Sequence, residues 1–414
     1  MMKPYKKIGL HGLITLIMVF ATLLSTYPYV LGRFFLMPNL TIMIIAEIVV
    51  FAVVAASIRR PEHLPLSFSW VCLAQFVIFL FLFAYHNDTF YLLRFALFTF
   101  ISYFTLYVLQ NSVGVLKFAQ INNIWITIQA VLGVIGYILI TKGFLEPLIV
   151  HHSEISDNVN YFYGITTTNT IIAGIPRIAG YFDEPGALAQ WGVYALVLNR
   201  ISKYYSRKIE LLLSICLVVT FSLAFFVQIT IYYIVFYFNR FKKITIVIIV
   251  FIGTFLIAQS YIQKDSVLYS YTFNRMESNY GKIETNRDQL TQNAKEMFLE
   301  NPFWGKGYTN SVENSTGFYD NPYETLATCG ILGTFALYLP LLVILFNYRR
   351  NGSWQAVVVL TAGYLQRPFH IQYIHYLMIY LLFIICCYNK TYANSQFYGK
   401  LNKIRNKWNH YSQL

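Results

Sequence analysis

Apolar runs of near-spanning length recur along this chain, separated by short polar turns and by two long polar stretches. About 20 apolar residues in a helix cover the roughly 30 Å hydrocarbon core of a bilayer. The runs fall near 8–30, 40–58, 66–85, 89–109, 121–140, 186–199, 244–262, 326–346, 354–366 and 371–388. The stretch Ile209 to Phe238 is too long for one span, since it would form a helix of about 45 Å. It is basic on both flanks, with Arg200, Lys203, Arg207 and Lys208 before it and Arg240, Lys242 and Lys243 after it. A helical hairpin turning near Thr220 to Phe226 places both flanks on one side; a single tilted helix is the alternative. With the hairpin, the pattern predicts an all-α polytopic membrane protein of about twelve transmembrane helices.

Composition agrees: 57% of residues are hydrophobic and 12% charged, which excludes an ordinary soluble domain. The net charge of +13 points to topology rather than to nucleic acid, because lysine and arginine gather in cytoplasmic loops. Most of the basic residues then fall on one side with both termini, including the basic tail 389–414, which would lie on anionic lipid headgroups. The first run lacks a small-residue cleavage site and more spans follow it, so it reads as an anchor. The five cysteines lie in apolar runs without C-x-x-C spacing and read as small core residues.

The opposite side receives two long loops, 141–185 and 263–325, which hold most of the carboxylates. Loops on a rigid scaffold are the usual place for a site. Three arginines in them, Arg177, Arg275 and Arg287, offer planar forks suited to phosphate oxygens, against the plainer reading of solvated loop charge. Asp183 and Glu184 precede Pro185, where one carboxylate is expected to cap the helix start and the other is left for an arginine or sugar hydroxyls. Downstream, the segment NPFWGKGY carries Gly305 and Gly307, whose spacing allows a tight turn close to a ligand. Asp320, Asn321 and Glu324 then stand ahead of a span, where capping competes with a general-base or sugar-binding role. Glu47 and Arg94, in or near spans, are expected to pair or to line a cavity, while His11, His370 and His375 read as bundle histidines. No D-x-D metal site, Walker loop, dinucleotide fingerprint or G-x-S-x-G elbow is present. An enzyme built on this chain is thus expected to need no nucleotide, cofactor or metal, leaving cationic side chains to stabilise a leaving group.

Three features in order, Arg177–Gly186 (RIAGYFDEPG), Asn286-Arg287 with Asn301–Gly307 (NPFWGKG), and Asp320-Asn321 leading to Leu326–Gly333 (LATCGILG), resemble the O-antigen polymerase (Wzy) and O-antigen ligase (WaaL) superfamily of membrane glycosyltransferases. The resemblance covers roughly residues 100 to 390. It implies a GT-C-like helical fold in the bacterial inner membrane. It also implies that Arg177 and Arg287 engage the pyrophosphate of an undecaprenyl-linked oligosaccharide, with Arg275 carried over more loosely. Such a polymerase transfers a growing chain to a new lipid-linked repeat unit, with Glu184 or Asp320 orienting or deprotonating the acceptor hydroxyl. Asp183, Gly305, Gly307, Asn321 and Glu324 would contact substrate, and a chain-length-determining co-polymerase is an expected partner. The R-x-x-G-x-F-x-E-P pattern is closer to the polymerases; the His-Asn pair typical of ligases is replaced here by Tyr319-Asp320. The ligase, a capsule or exopolysaccharide polymerase and a flippase of lipid-linked oligosaccharide remain alternatives.

Overall fold

In a computed structural model of the protein, the described residues are 63–152, 159–237, 286–311, 321–348, 352–366 and 372–390, apart from a few positions within them, together with scattered positions between 16 and 49. The expected spans at 40–58 (Val49 apart) and 244–262, the charge Glu47, and the tail 389–414 beyond Lys390 lie outside this set.

The chain is mainly helical. After a short helix α1 (Tyr29–Phe34) come α2 (Leu66–His86), α3 (Tyr91–Ser112) and α4 (Val115–Thr141). The first six residues of α3, Tyr91–Ala96, are wound as a π-helix. Next follow α5 (Pro185–Ile201), α6 (Arg207–Cys216) and α7 (Leu223–Tyr237). The remainder is α8 (Asn286–Glu300), α9 (Glu324–Asn347), α10 (Ser353–Gln366) and α11 (Tyr373–Lys390). Among the described residues, five helices (α2, α3, α4, α9 and α11) are long and apolar enough to cross a membrane.

The apolar faces explain the bundle. On α2, Phe68, Val71, Cys72, Phe79 and Leu82 are buried, while Leu66, Trp70, Val77, Phe81 and Tyr85 form an exposed apolar stripe at helical spacing. A helix that is apolar on both faces belongs in lipid, with one face on the bundle and the other on acyl chains. Helix α11 is hydrophobic all round and is covered from Tyr373 to Cys387, which makes it a central helix. Helix α5 is equally enclosed: from Ala187 to Asn199 every side chain is buried.

Residues 209–237 form a hairpin, which settles the open alternative. Helix α6 tightens into a 3₁₀ turn at Leu217–Thr220, Phe221 takes a left-handed conformation (φ 46°), and α7 returns. The arms are antiparallel: Ser214 Oγ lies 2.8 Å from the Tyr233 hydroxyl, and Glu210 accepts from Tyr232 (2.5 Å) and Tyr237 (2.8 Å). The turn at Phe221–Ser222 lies within the expected 220–226.

The first long loop departs from an all-α reading. Residues 149–176 hold two small antiparallel sheets: β1 (Ile149–His152), β2 (Val159–Phe162) and β3 (Thr167–Thr168) in one, β4 (Ile171–Ile172) and β5 (Ile175–Pro176) in the other. Val150 pairs with Tyr161, and Tyr161 with Thr168. The β-branched and aromatic residues of this loop favour strands, but runs of two to four residues are too short to stand out from a loop in sequence.

Candidate functional site

Strand β3 shapes the Arg177–Glu184 segment. Thr167 N donates to Gly180 O at 2.7 Å, and Ala179 N returns a bond to Thr167 O at 3.0 Å. The Thr168 hydroxyl donates to Arg177 O (2.6 Å), that of Thr167 to Phe182 O (2.9 Å), and Asn169 Nδ2 to Asp183 O (3.3 Å). From α4, Gln129 Oε1 accepts the Tyr181 amide at 3.2 Å. Every carbonyl or amide so held fixes the path into α5. The T-T-T-N run at 166–169 carries no signal of this in the sequence, because it acts through a β-bridge to a segment a dozen residues away.

Arg177 points to the hairpin tip. Its Nε donates to Thr220 O (3.1 Å) and its Nη2 to Phe221 O (3.2 Å). These carbonyls stand at the end of the 3₁₀ turn, and the guanidinium caps them. The side chain therefore has a structural task that the sequence did not disclose. Glu184 is the N-cap residue of α5 with extended backbone, and Pro185 occupies the first helical position as expected. Its side chain makes no capping bond; the backbone oxygen of Glu184 alone receives Ala187 N (3.1 Å). Capping by that carboxylate, the plainer expectation, is thus not what Glu184 does. Nearby Tyr181 and Tyr163 have their phenol pKa values raised, in each case first by burial.

The second cluster is built around a broken span. Gly330 interrupts α9 with φ 61° and ψ −170°. The NPFWGKG segment fills the break: Lys306 N donates to Ala327 O (2.9 Å), Gly307 N to Thr328 O (3.2 Å), Ile331 N to Pro302 O (2.9 Å) and Leu332 N to Phe303 O (3.2 Å). In lipid every backbone group must find an internal partner, and this loop supplies those the break releases. Gly305 and Gly307 have φ of 77° and 86°. In the structure both lie against another stretch of the same chain, Thr328–Gly330.

The same loop is docked on the turn between α2 and α3, a contact the sequence reading missed. Buried Asp88 accepts Thr309 N on Oδ2 (2.8 Å), and on Oδ1 the Thr309 hydroxyl (2.8 Å) and Phe90 N (3.0 Å). Phe90 and Tyr308 stack with ring centroids 3.5 Å apart. His86 Nε2 lies 3.1 Å from Trp304 O, and the Tyr91 hydroxyl donates to Thr328 O at 2.5 Å. The signal for it was the lone acid of N-D-T-F in a tight turn between two spans. Arg94 lies over the Phe98 ring at 5.7 Å.

Asn321 and Glu324 are both buried at the head of α9. Asn321 accepts Tyr323 N on Oδ1 (2.9 Å) and donates to Leu290 O of α8 at 3.4 Å, so the expected turn-forming role of this residue is visible. Helix α8 begins with Asn286-Arg287, but the Arg287 side chain is not among those described, and Arg275 and Asp320 lie outside the described residues. The exposed pair Lys306–Glu300, at 3.0 Å, contributes little. Among the described residues no group of three or more His, Cys, Asp or Glu side chains is placed to hold a metal.

Chain direction relates the two clusters. Helix α2 ends, α4 ends, and α5 and α9 begin, at the end of the bundle that carries Trp304 and Arg177. At the other end Ser67 meets Tyr348 (2.8 Å), and Asn389 donates to Ile201 O (2.8 Å). Comparison with protein families, with curated proteins and with solved structures gives no match to this chain. The class its described helices define is that of a helical membrane protein.

Proposed function

We propose that the protein is a membrane glycosyltransferase of the O-antigen polymerase type, joining undecaprenyl-pyrophosphate-linked oligosaccharide repeat units on the outer side of the bacterial inner membrane. The observation that carries this reading is the emergence of the polar segments Arg177–Glu184, Asn301–Thr309 and Asn321–Glu324 at one end of the bundle. An acceptor hydroxyl attacks the anomeric carbon of the donor while lipid pyrophosphate departs. Arg177, Arg275 and Arg287 stabilise the diphosphate charge, which in a low-dielectric site is worth more than in water. Asp183, Glu184 and Asp320 face the sugars. About twelve spans in a GT-C-like arrangement place both termini in the cytoplasm, and a chain-length-determining co-polymerase is the expected partner.

A glycan gel of a deletion strain tests the reading. One repeat unit on the lipid core is the polymerase outcome, and bare core overturns it in favour of a ligase or flippase. Complementation with Arg287→Ala should leave the single-repeat band with protein level normal; a full polymer ladder from that variant removes the arginine from the mechanism.

A further inference from the structure

The turn between α5 and α6 is short and fixed at several points. Asn199, buried near the end of α5, donates through Nδ2 to Ser206 O (2.9 Å), and its Oδ1 accepts Ser206 N (3.1 Å). Within the turn, Tyr204 N donates to Ser202 Oγ (3.1 Å) and Tyr205 N to Ser202 O (3.2 Å). Ser206 then caps α6, its hydroxyl oxygen accepting Ile209 N at 3.4 Å. A turn held this way presents its exposed side chains, Lys203, Tyr204, Tyr205, Arg207 and Lys208, from a fixed backbone.

Charge in this region is one-sided. From Arg200 to Thr220 the cations are Arg200, Lys203, Arg207 and Lys208, and the single acid is Glu210. Glu210 is buried and takes its hydrogen bonds from phenols, with Tyr232 (2.5 Å) and Tyr237 (2.8 Å) on Oε1 and Tyr205 (2.5 Å) on Oε2. Arg200 lies over the Tyr205 and Tyr237 rings, and Lys203 lies over the Tyr204 ring at 5.0 Å. Among the described residues none of these cations makes an ion pair. Cations gathered without a counter-ion repel one another, so an anion from outside stabilises the turn.

The neighbouring surface distinguishes between anions. Along α6, Arg207, Lys208, Leu211, Leu212 and Ile215 are exposed at helical spacing, while Glu210, Leu213 and Cys216 are buried. The exposed face is basic at its start and apolar beyond, with Lys208 and Ile215 about 10 Å apart along the axis. It leads toward the hairpin tip at Phe221, where Arg177 binds, so the basic turn stands at the far end of the hairpin from Arg177. Cations and tyrosines at the end of a lipid-facing helix match a phospholipid, with its phosphate at the turn and its acyl chains along Leu211, Leu212 and Ile215. A free phosphate would leave the apolar face unused.

We propose that the Lys203–Lys208 turn is a binding site for an anionic phospholipid. Lys203, Arg207 and Lys208, backed by Arg200, hold the headgroup phosphate, and the exposed face of α6 carries the chains. The site stands apart from the Arg177 end and does not depend on the polymerase reading.

The test titrates full-length protein in detergent micelles with phosphatidylglycerol or phosphatidylcholine and reads the bound lipid by native mass spectrometry. Wild-type protein should bind phosphatidylglycerol more tightly than phosphatidylcholine. The combined variant Lys203→Gln/Arg207→Gln/Lys208→Gln should weaken phosphatidylglycerol binding by about fivefold or more, the usual worth of one cation at an anionic surface, and leave phosphatidylcholine binding unchanged. Lys142→Gln, an exposed cation after α4, should change neither. Wild-type affinity for phosphatidylglycerol in the combined variant, or an equal loss in Lys142→Gln, overturns the site. Displacement of the bound lipid by inorganic phosphate at constant ionic strength makes the turn a soluble-anion site and overturns the lipid assignment. Should the combined variant not fold, Lys203→Gln and Lys208→Gln carry the test singly, and unchanged binding in both overturns the proposal.

Discussion

Gly305 and Gly330 cross so closely that neither tolerates a side chain. A Cβ on Gly305 would stand 2.3 Å from Thr328 O, and one on Gly330 would stand 2.3 Å from Phe303 O. Both have positive φ, at 77° and 61°. The crossing is where the polar loop and the broken span become one unit.

Alanine at either glycine should therefore destabilise the protein by at least the cost of the strained backbone, about 1–3 kcal/mol, with the clash against backbone added. Neither clashing atom belongs to a flexible side chain, so relief requires the loop to move. Thermal melting of the purified protein checks this; a Gly305→Ala variant melting with the wild type would refute the interlock.

The Arg177 fork and the hairpin tip make a second prediction. Arg177→Ala leaves the Thr220 and Phe221 carbonyls without their donors, at a cost of about 1–3 kcal/mol each before water enters. Arg177→Lys keeps the charge but not the two-point geometry. The lysine variant should melt between alanine and wild type. Equal melting of all three would show that the hairpin needs no clamp.

At the other end of the bundle, Glu210 is 3% exposed and accepts from Tyr205, Tyr232 and Tyr237, with Arg200 over the Tyr205 and Tyr237 rings at 5.0 and 4.5 Å. Glu210→Ala removes the shared acceptor of three hydroxyls and should cost about 3 kcal/mol or more. Limited proteolysis should then cut between Ser202 and Ser206. Resistance equal to wild type would mean the hairpin base is held by packing alone.

Topology is open to direct labelling. All five native cysteines are buried, so background reaction should be low. Cysteines introduced at Phe144 and Leu299, which are 78% and 64% exposed, should react with an impermeant maleimide from one side of the membrane. One introduced at Tyr204 should react from the other. Labelling of the Phe144 and Leu299 positions from opposite sides would separate the two clusters and end the glycosyltransferase proposal.

Five of the expected spans, and their order, were determined by the sequence itself. Apolar runs at 66–86, 91–112, 115–141, 324–347 and 373–390 lie close to where hydropathy puts them, because burial in lipid is a local property of a run of side chains. The hairpin at Phe221 was legible for a similar reason, since length and flanking charge leave few other solutions. What the glycines and carboxylates do was decided only by tertiary structure. Gly305 looks like any turn glycine until Gly330 arrives from 25 residues away. Asp88 and Thr309 are separated by most of the chain, and Arg177 finds its acceptors on a hairpin tip 43 residues on. The short strands of the first loop escaped for the same reason: a two-residue pairing is stabilised by its partner, not by its own composition. Hydrogen bonds between distant segments leave no periodicity behind, so the fold alone assigns them.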